Sequence, residues 1–154
     1  MQKVLFTLAA SLAIATPALA NEARVEARGG VYWSPGYTKG TVGAAAGYDF
    51  DLGSAAFAGA EVSADKVLDS NANRVAVGFT GRIGIKPSPN DKLFAAGGYT
   101  TKICTLCENA EHLGAGYEHT FGNRLYGKVE YRHFFVNNGA PNSNAVSAGL
   151  GVKF

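Results

Sequence analysis

The chain has 154 residues, with 14 basic and 12 acidic side chains and a formal net charge of +2. That charge is too small to indicate nucleic acid as a partner. Beyond the first twenty residues no segment approaches eighteen consecutive apolar residues, which excludes a helical membrane span. Twenty Gly, seven Tyr and nine Phe beside a single Met favour strands and turns. The composition therefore indicates an all-β protein.

Residues 1–20 have the three parts of a secretory signal peptide. Lys3 supplies the positive start, residues 4–15 form an apolar run, and a small-x-small ending at Ala20 suits signal peptidase. The run is too short for a membrane anchor. We predict cleavage after Ala20 and export of one domain, residues 21–154. Asn21 is not Cys, so lipid modification of the new N-terminus is not indicated.

Period-two alternation of apolar and polar side chains divides the rest of the chain into eight segments. The last is the clearest, because even-numbered residues from Val146 to Phe154 are apolar and Lys153 lies on the opposite face. Repeated segments of about ten alternating residues are typical of membrane barrel strands. A helix is disfavoured, since each of the frequent glycines would cost about 1 kcal/mol. The predicted strands are 24–33, 40–50, 54–64, 74–85, 92–103, 110–121, 125–135 and 144–154.

The predicted connections alternate in length. Three are tight turns, at 51–53, 87–91 and 122–124. Four are longer, at 34–39, 65–72, 104–109 and 137–143. Short periplasmic turns and longer external loops are typical of outer-membrane barrels. Both termini are therefore expected in the periplasm, and the external loops are too short for a large binding platform.

Alternation alone does not distinguish a soluble β-sandwich from a membrane barrel. Here the apolar face carries aromatic residues near strand ends, as expected at two membrane–water interfaces. They are Trp33, Tyr48, Phe50, Tyr117, Phe121, Tyr131, Phe135 and Phe154. In lipid an open sheet edge would leave backbone groups unpaired, so the sheet must close. The sequence predicts a closed eight-stranded antiparallel up-and-down transmembrane β-barrel.

Two motifs near the end of the chain carry a family resemblance. Residues 149–154, Gly-Leu-Gly-Val-Lys-Phe, resemble the terminal signature by which bacterial outer-membrane barrels are recognised by their assembly machinery. Residues 127–132, Gly-Lys-Val-Glu-Tyr-Arg, resemble the penultimate strand of opacity-type surface proteins and of the membrane domain of outer membrane protein A, a porin-like family. The resemblance implies a cell outer membrane location, contact with outer-membrane lipid and lipopolysaccharide, and an assembly signal formed by Leu150, Val152 and Phe154. It implies no specific task, and a monomer is expected.

The polar faces of the predicted strands carry charges of both signs. Eight strands leave an interior just wide enough for side chains, and an unpaired buried charge costs several kcal/mol. We expect ion pairs that fill the lumen, and a charge-lined channel for small solutes is the alternative. The predicted network consists of Arg24, Glu26, Arg28, Glu61, Arg74, Arg82, Glu118, Lys128, Glu130 and Arg132, with Lys102, His112 and Lys153 on the same faces.

Cys104 and Cys107 lie in the third longer loop. In a tight turn, residues three apart lie within about 7 Å, which is compatible with a disulfide. An exported protein favours that state. Two cysteines cannot complete a tetrahedral zinc site, and nothing forces Glu108 and His112 into a coordinating arrangement. We predict a disulfide and no metal or cofactor, with metal binding or redox chemistry as the alternative.

Some eight-stranded barrels are lipid A deacylases, which need a nucleophile and a His base on the lipid-facing wall. His133 is the candidate base. The deacylase pattern has Ser two residues after this His, where this chain has Phe135, and Ser147 on the next strand faces inward by parity. We therefore predict no catalytic residues and a non-enzymatic surface protein, structural or adhesive. A lipid-modifying enzyme is the weaker alternative.

Overall fold

The computed structural model describes residues 21–136 and 141–154 as eight strands with short connections. The predicted signal peptide, residues 1–20, lies outside the described residues, as does part of the fourth longer loop. No helix long and apolar enough to cross a membrane occurs in the described part of the chain. The strands are β1 (Glu22–Ser34), β2 (Tyr37–Asp51), β3 (Ala56–Val67), β4 (Ala76–Ser88), β5 (Asp91–Thr100), β6 (Ala110–Phe121), β7 (Leu125–Val136) and β8 (Ser143–Lys153).

The sheet closes on itself. Every strand pairs antiparallel with the next along the chain, and β1 pairs with β8 in a register that runs from Arg24 opposite Lys153 to Trp33 opposite Asn144. Closure gives each strand a hydrogen-bonded neighbour on both sides, which removes the exposed edges of an open sheet. The predicted fold class, a closed eight-stranded antiparallel barrel, is confirmed.

The strand boundaries differ from the predicted ones mainly at one end of the barrel. We call this the outer end; it carries the β1–β2, β3–β4, β5–β6 and β7–β8 connections. The loop predicted at 34–39 is a two-residue turn, because β2 already begins at Tyr37. Gly36 in that turn has a φ of 75°, a conformation that glycine adopts without steric cost. β3 continues to Val67 instead of 64, and β5 ends at Thr100 instead of 103.

Polarity is inverted relative to a soluble protein. The outward face exposes large apolar residues along every strand, among them Ile83, Leu113 and Leu150, while most buried side chains are charged or polar. The buried apolar cluster within the described residues is small and consists of Phe57, Phe94 and Ala96. A contiguous exposed apolar surface of this kind suits contact with lipid.

The free-energy cost of placing a charged residue on the outward face should depend on how deep in the membrane that residue lies. Ile83 lies near the middle of β4, and its side chain is 60% exposed. Leu125 is the matched control, since it is also outward-facing, 48% exposed, but lies at the inner end of β7. Ile83→Arg should lower the free energy of unfolding in lipid vesicles by roughly 2–4 kcal/mol and Leu125→Arg by about 0–1 kcal/mol. Equal losses in a urea titration would contradict the membrane placement.

Candidate functional site

The centre of the lumen is organised around the carboxylate of Glu61 on β3. It accepts hydrogen bonds from Arg24 Nη1 at 2.8 Å, Arg28 Nη1 at 3.1 Å, Lys128 Nζ at 3.1 Å and Arg132 Nη2 at 2.8 Å. The four cations come from β1 and β7, neither of which neighbours β3 in the sheet. These contacts therefore cross the lumen and tie opposite walls of the barrel together.

Two further acids complete the central group. Glu26 contacts Lys128 Nζ at 2.7 Å and accepts a hydrogen bond from the Tyr126 hydroxyl at 2.9 Å. Glu130 pairs with Arg132 and with Lys128, at 3.2 Å from the latter. Both of these partners of Glu130 belong to its own strand, β7. Cations and anions thus alternate through the middle of the lumen.

A second group of ion pairs fills the inner end of the lumen. Lys92 Nζ lies 2.9 Å from Asp49, Arg82 pairs with Asp49 and lies 3.0 Å from Glu118, and Lys153 Nζ lies 2.8 Å from Glu118. All five side chains are buried. Buried charges persist only when they are paired and hydrogen-bonded, and each of these has a partner of opposite sign.

Aromatic rings pack against the cations of this inner group. The Arg82 guanidinium lies 4.9 Å from the ring centroid of Phe94 and 5.2 Å from that of Phe57. Lys153 Nζ lies 5.2 Å from the ring of Tyr126. Cation–π attraction strengthens when the pair is removed from water. The rings also fill space that the charged groups leave open.

Arg74 was predicted to belong to the lumen network, and this prediction was wrong. It is exposed and lies in the β3–β4 connection, because β4 begins only at Ala76. Its backbone N–H donates to Ile103 O at 3.0 Å in the neighbouring loop. Lys102 likewise lies in a connection, beyond the end of β5. The other predicted members are buried in the lumen. They are Arg24, Glu26, Arg28, Glu61, Arg82, Glu118, Lys128, Glu130 and Arg132.

The predicted network lacks several inward-facing charges, notably Asp49, Asp65 and Lys92. A signal was present for Asp49, because it lies between Tyr48 and Phe50, whose rings pack together on the outward face at 4.9 Å between centroids. Strict alternation places the residue between them inside. Asp65 was taken as the start of a loop, whereas β3 continues past it.

His112 lies above the charged groups, toward the outer end. Its Nε2 is 3.0 Å from Thr80 Oγ1 and its Nδ1 is 3.0 Å from Thr100 Oγ1, so both ring nitrogens have hydroxyl partners. Its ring centroid is 5.7 Å from that of Phe134. Within the described residues no group of three His, Cys, Asp or Glu side chains could hold a metal ion.

The outer end of the lumen contains a cavity of about 400 Å³, which we call the mouth cavity. Arg28, Asp65 and Arg132 form its floor, where the ion pairs end. Its walls are largely apolar or aromatic and include Tyr32, Val67, Ala72, Ile103 and Phe134. The volume falls within the range of small-molecule sites.

Contacts between connections hold the rim of this cavity. Lys39 Nζ lies 2.8 Å from Asp69, which joins the start of β2 to the β3–β4 connection. The hydrogen bond from Lys39 lowers the pKa of Asp69. Asn73 Nδ2 lies 3.2 Å from Thr105 Oγ1, which joins the β3–β4 and β5–β6 connections. The β3–β4 connection is therefore linked to the start of β2 and to the β5–β6 connection.

Cys104 and Cys107 form the predicted disulfide, with their Cα atoms 5.0 Å apart. The Cys107 N–H also donates to the Cys104 carbonyl at 3.3 Å. Both residues line the mouth cavity. The disulfide closes a turn in the β5–β6 connection and so shapes one part of the rim.

His133 lies on the outward wall near the outer end. Its Nδ1 is 2.8 Å from Asn144 Oδ1, which also accepts a hydrogen bond from the Tyr131 hydroxyl at 2.7 Å. The ring lies 4.7 Å from that of Phe135. Ser147, considered as a nucleophile, lines the mouth cavity on the other side of the wall. The structure therefore does not bring His133 and Ser147 together.

The residues proposed as an assembly signal lie on the outward face at the inner end of the barrel. Leu150, Val152 and Phe154 are exposed and share one side of β8. The Phe154 N–H donates to the Ala23 carbonyl at 2.9 Å, which holds the end of the chain against β1.

Removing the charge of Glu61 should destabilise the barrel strongly. Glu61→Gln deprives four cations of a shared anion, so we expect a loss of about 3–5 kcal/mol of unfolding free energy. The matched control is Glu111→Gln, which neutralises an exposed acid on β6. Combining Glu61→Gln with Lys128→Met should cost less than the sum of the single changes, because one cation leaves with the anion. Strict additivity in urea titrations would contradict a coupled network.

Reducing the disulfide should leave the barrel folded. The bond closes a four-residue loop, so it removes little conformational entropy from the unfolded chain. Mass spectrometry of the purified protein should show the oxidised pair, and the reduced protein should keep its fast unboiled migration on a detergent gel. Loss of that migration on reduction would mean that the outer connections contribute more to barrel stability than their contacts indicate.

Comparisons with known proteins identify the fold. No protein-family model and no curated protein matches the chain. Among solved structures, the N-terminal β-barrel domain of Pseudomonas aeruginosa OprF is similar, with a TM-score of 0.65, 14% identity and coverage of 86% of this chain and 97% of that one. Ail, the attachment invasion locus protein of Yersinia pestis, solved with the heparin analogue sucrose octasulfate, has a TM-score of 0.60, 11% identity and coverage of 87% and 98%. Neisserial surface protein A has a TM-score of 0.58, 11% identity and coverage of 87% of this chain and 97% of that one. The chain therefore has the fold of the small eight-stranded β-barrels of bacterial outer membranes.

Proposed function

We propose that the protein is a non-enzymatic surface protein of the outer membrane, structural or adhesive in role, with a lumen closed by ion pairs. The observation that carries the proposal is the position of Glu61, whose carboxylate joins cations from β1 and β7 across the lumen. Side chains that meet in the middle of a barrel occupy the space that a solute would need.

The charge pattern supports a closed lumen over a selective channel. Ion selectivity requires a ring of one sign at a constriction. Here each buried acid lies beside buried cations, as Glu118 does beside Arg82 and Lys153. An eight-stranded barrel is also just wide enough to be filled by side chains. A small-solute channel is the alternative that this arrangement disfavours.

The outward face supports a membrane location. Its exposed apolar residues would contact outer-membrane lipid, with lipopolysaccharide around the outer end. In this proposal the chain is exported by residues 1–20, cleaved after Ala20 and inserted as a monomer by the barrel-assembly machinery. Leu150, Val152 and Phe154 would provide the recognition signal, since all three remain exposed on one face.

Similar folds support a surface role, with a structural or adhesive task. The solved structures of similar fold include a neisserial surface protein and an attachment invasion locus protein. In the present chain the β3–β4 connection contacts the start of β2 and the β5–β6 connection, so this part of the outer surface is held together by side-chain contacts. The proposal of a non-enzymatic role rests on His133, which lacks a nucleophile: Phe135 stands where the deacylase pattern has Ser, and Ser147 lies on the other side of the wall.

Planar-bilayer recording of the refolded protein tests the closed lumen. We expect no steady conductance from the wild type, because the Glu61 contacts block the passage. Glu61→Ala combined with Lys128→Ala removes side-chain volume from the centre and should raise conductance if it folds, as judged by unboiled migration on a detergent gel. Steady, ion-selective conductance of the wild type would support the channel alternative.

Cell fractionation and lipid analysis test the rest of the proposal. The protein should be recovered with the outer membrane, and the lipid A profile should be the same in cells that express wild type or His133→Ala. Recovery as a soluble periplasmic protein would contradict the location. Loss of a lipid A acyl chain that depends on His133 would support the enzyme alternative.

A further inference from the structure

The mouth cavity has the features of a small-molecule site that the closed-lumen proposal does not use. It opens at the outer end, and the ion-paired groups beneath it form a solid floor. Its volume of about 400 Å³ suits a ligand of modest size. Its largely apolar lining with a few charged groups at one end is the usual composition of ligand pockets.

The accessible charge in this cavity is negative. The Asp65 side chain is 27% exposed, against 5% for Arg28 and 7% for Arg132. Both Asp65 oxygens accept hydrogen bonds from Arg28, yet each carboxylate oxygen has a second lone pair. Glu108 adds a second exposed acid at the rim.

The two floor cations are already engaged. Arg28 donates to Asp65 and to Glu61, and Arg132 donates to Glu130 and to Glu61. An anionic ligand would have to compete with these buried carboxylates and would also meet the Asp65 carboxylate. The floor therefore disfavours an anion despite its two guanidinium groups.

Aromatic rings line one side of the cavity above the floor. The ring centroid of Tyr32 lies 6.3 Å from that of Tyr37 and 6.0 Å from that of Phe134. All three residues line the cavity. The faces of aromatic rings attract organic cations, and groups of such rings recognise quaternary ammonium ligands.

We infer that the mouth cavity binds a small organic cation with an apolar body. Asp65 supplies the counter-charge, the rings of Tyr32 and Phe134 contact the ammonium group, and the apolar wall accommodates the body. The Tyr37 ring already lies 5.8 Å from Lys39 Nζ and contributes as part of the wall. This ligand class uses the accessible acid and the aromatic rings together, whereas a neutral apolar molecule uses only the wall.

Isothermal titration calorimetry of the refolded full-length mature protein tests the inference. The detergent should be an uncharged maltoside, because zwitterionic detergents carry quaternary ammonium groups. The probe is benzyltrimethylammonium, with phenylacetate as its anionic counterpart. We expect saturable binding of the cation and at least tenfold weaker binding of the anion.

Matched variants test whether the cation binds in the mouth cavity. Phe134→Leu removes a cavity-lining ring and should weaken cation binding about fivefold or more, whereas Phe135→Leu, on the outward face of the same strand, should leave it unchanged. Asp65→Asn should weaken binding about tenfold or more, whereas Glu111→Gln, which neutralises an exposed acid near the outer end of β6 that does not line the cavity, should leave binding unchanged. Unboiled migration on a detergent gel checks that each variant is folded. Because Asp65 also pairs with Arg28, the Phe134 and Phe135 pair remains decisive if Asp65→Asn does not fold.

Three results would overturn the inference. They are absence of saturable cation binding to the folded wild type, tighter binding of phenylacetate than of benzyltrimethylammonium, and equal losses from Phe134→Leu and Phe135→Leu. The last result would mean that the cation associates with the outer surface of the barrel. Selective loss in the cavity-lining variants supports the site.

Discussion

The interior of this barrel depends on one requirement: charges that are enclosed by eight strands must be paired with each other, because there is little room for water to solvate them. Glu61 shows how the requirement is met. Its carboxylate takes hydrogen bonds from Arg24, Arg28, Lys128 and Arg132, on strands that do not neighbour its own. Backbone hydrogen bonds close the wall, but they fix only neighbouring strands. The ion pairs fix opposite walls relative to each other, so the cross-section of the barrel depends on them.

The same requirement explains the inverted distribution of polarity. Strand residues alternate between the two faces, so the outward face is free to be apolar once the charges are placed inside. Ile83 and Arg82 are adjacent in sequence, yet one is exposed and the other is buried between Asp49 and Glu118. In water the exposed apolar outward face would be unfavourable. In a bilayer the outward face is solvated by lipid, and the interior provides its own counter-charges.

Closure into a barrel was predicted from the aromatic residues near strand ends, which indicate a membrane, and from the cost of an open sheet edge in lipid. Period-two alternation predicted the strand count and most of the inward-facing charges, because each face of a strand has a uniform environment. The prediction failed where the environment changes along a strand. At the outer ends, polar and apolar residues mix, so Arg74 was placed inside although it lies in a connection, and Asp65 was assigned to a loop although it lies on β3. The ion-pair partners could not be predicted from the sequence, because closure of the sheet brings Glu61 and Lys128 together. The mouth cavity had no sequence signal, because it depends on which inward side chains leave space unfilled.

The lumen divides into a filled inner part and an open outer part, and the division follows from side-chain chemistry. From the inner end up to the level of Arg28 and Arg132, long charged side chains reach across the lumen. Above them the inward positions are held by hydroxyl, aromatic and small residues such as Thr100 and Ala110, which do not reach the opposite wall. Arg28 belongs to both parts, because it donates to Glu61 below and to Asp65 at the cavity floor. A change at Glu61 would therefore alter the surroundings of Asp65 through Arg28. The network that closes the barrel thus also sets the charge that a ligand in the mouth cavity would meet.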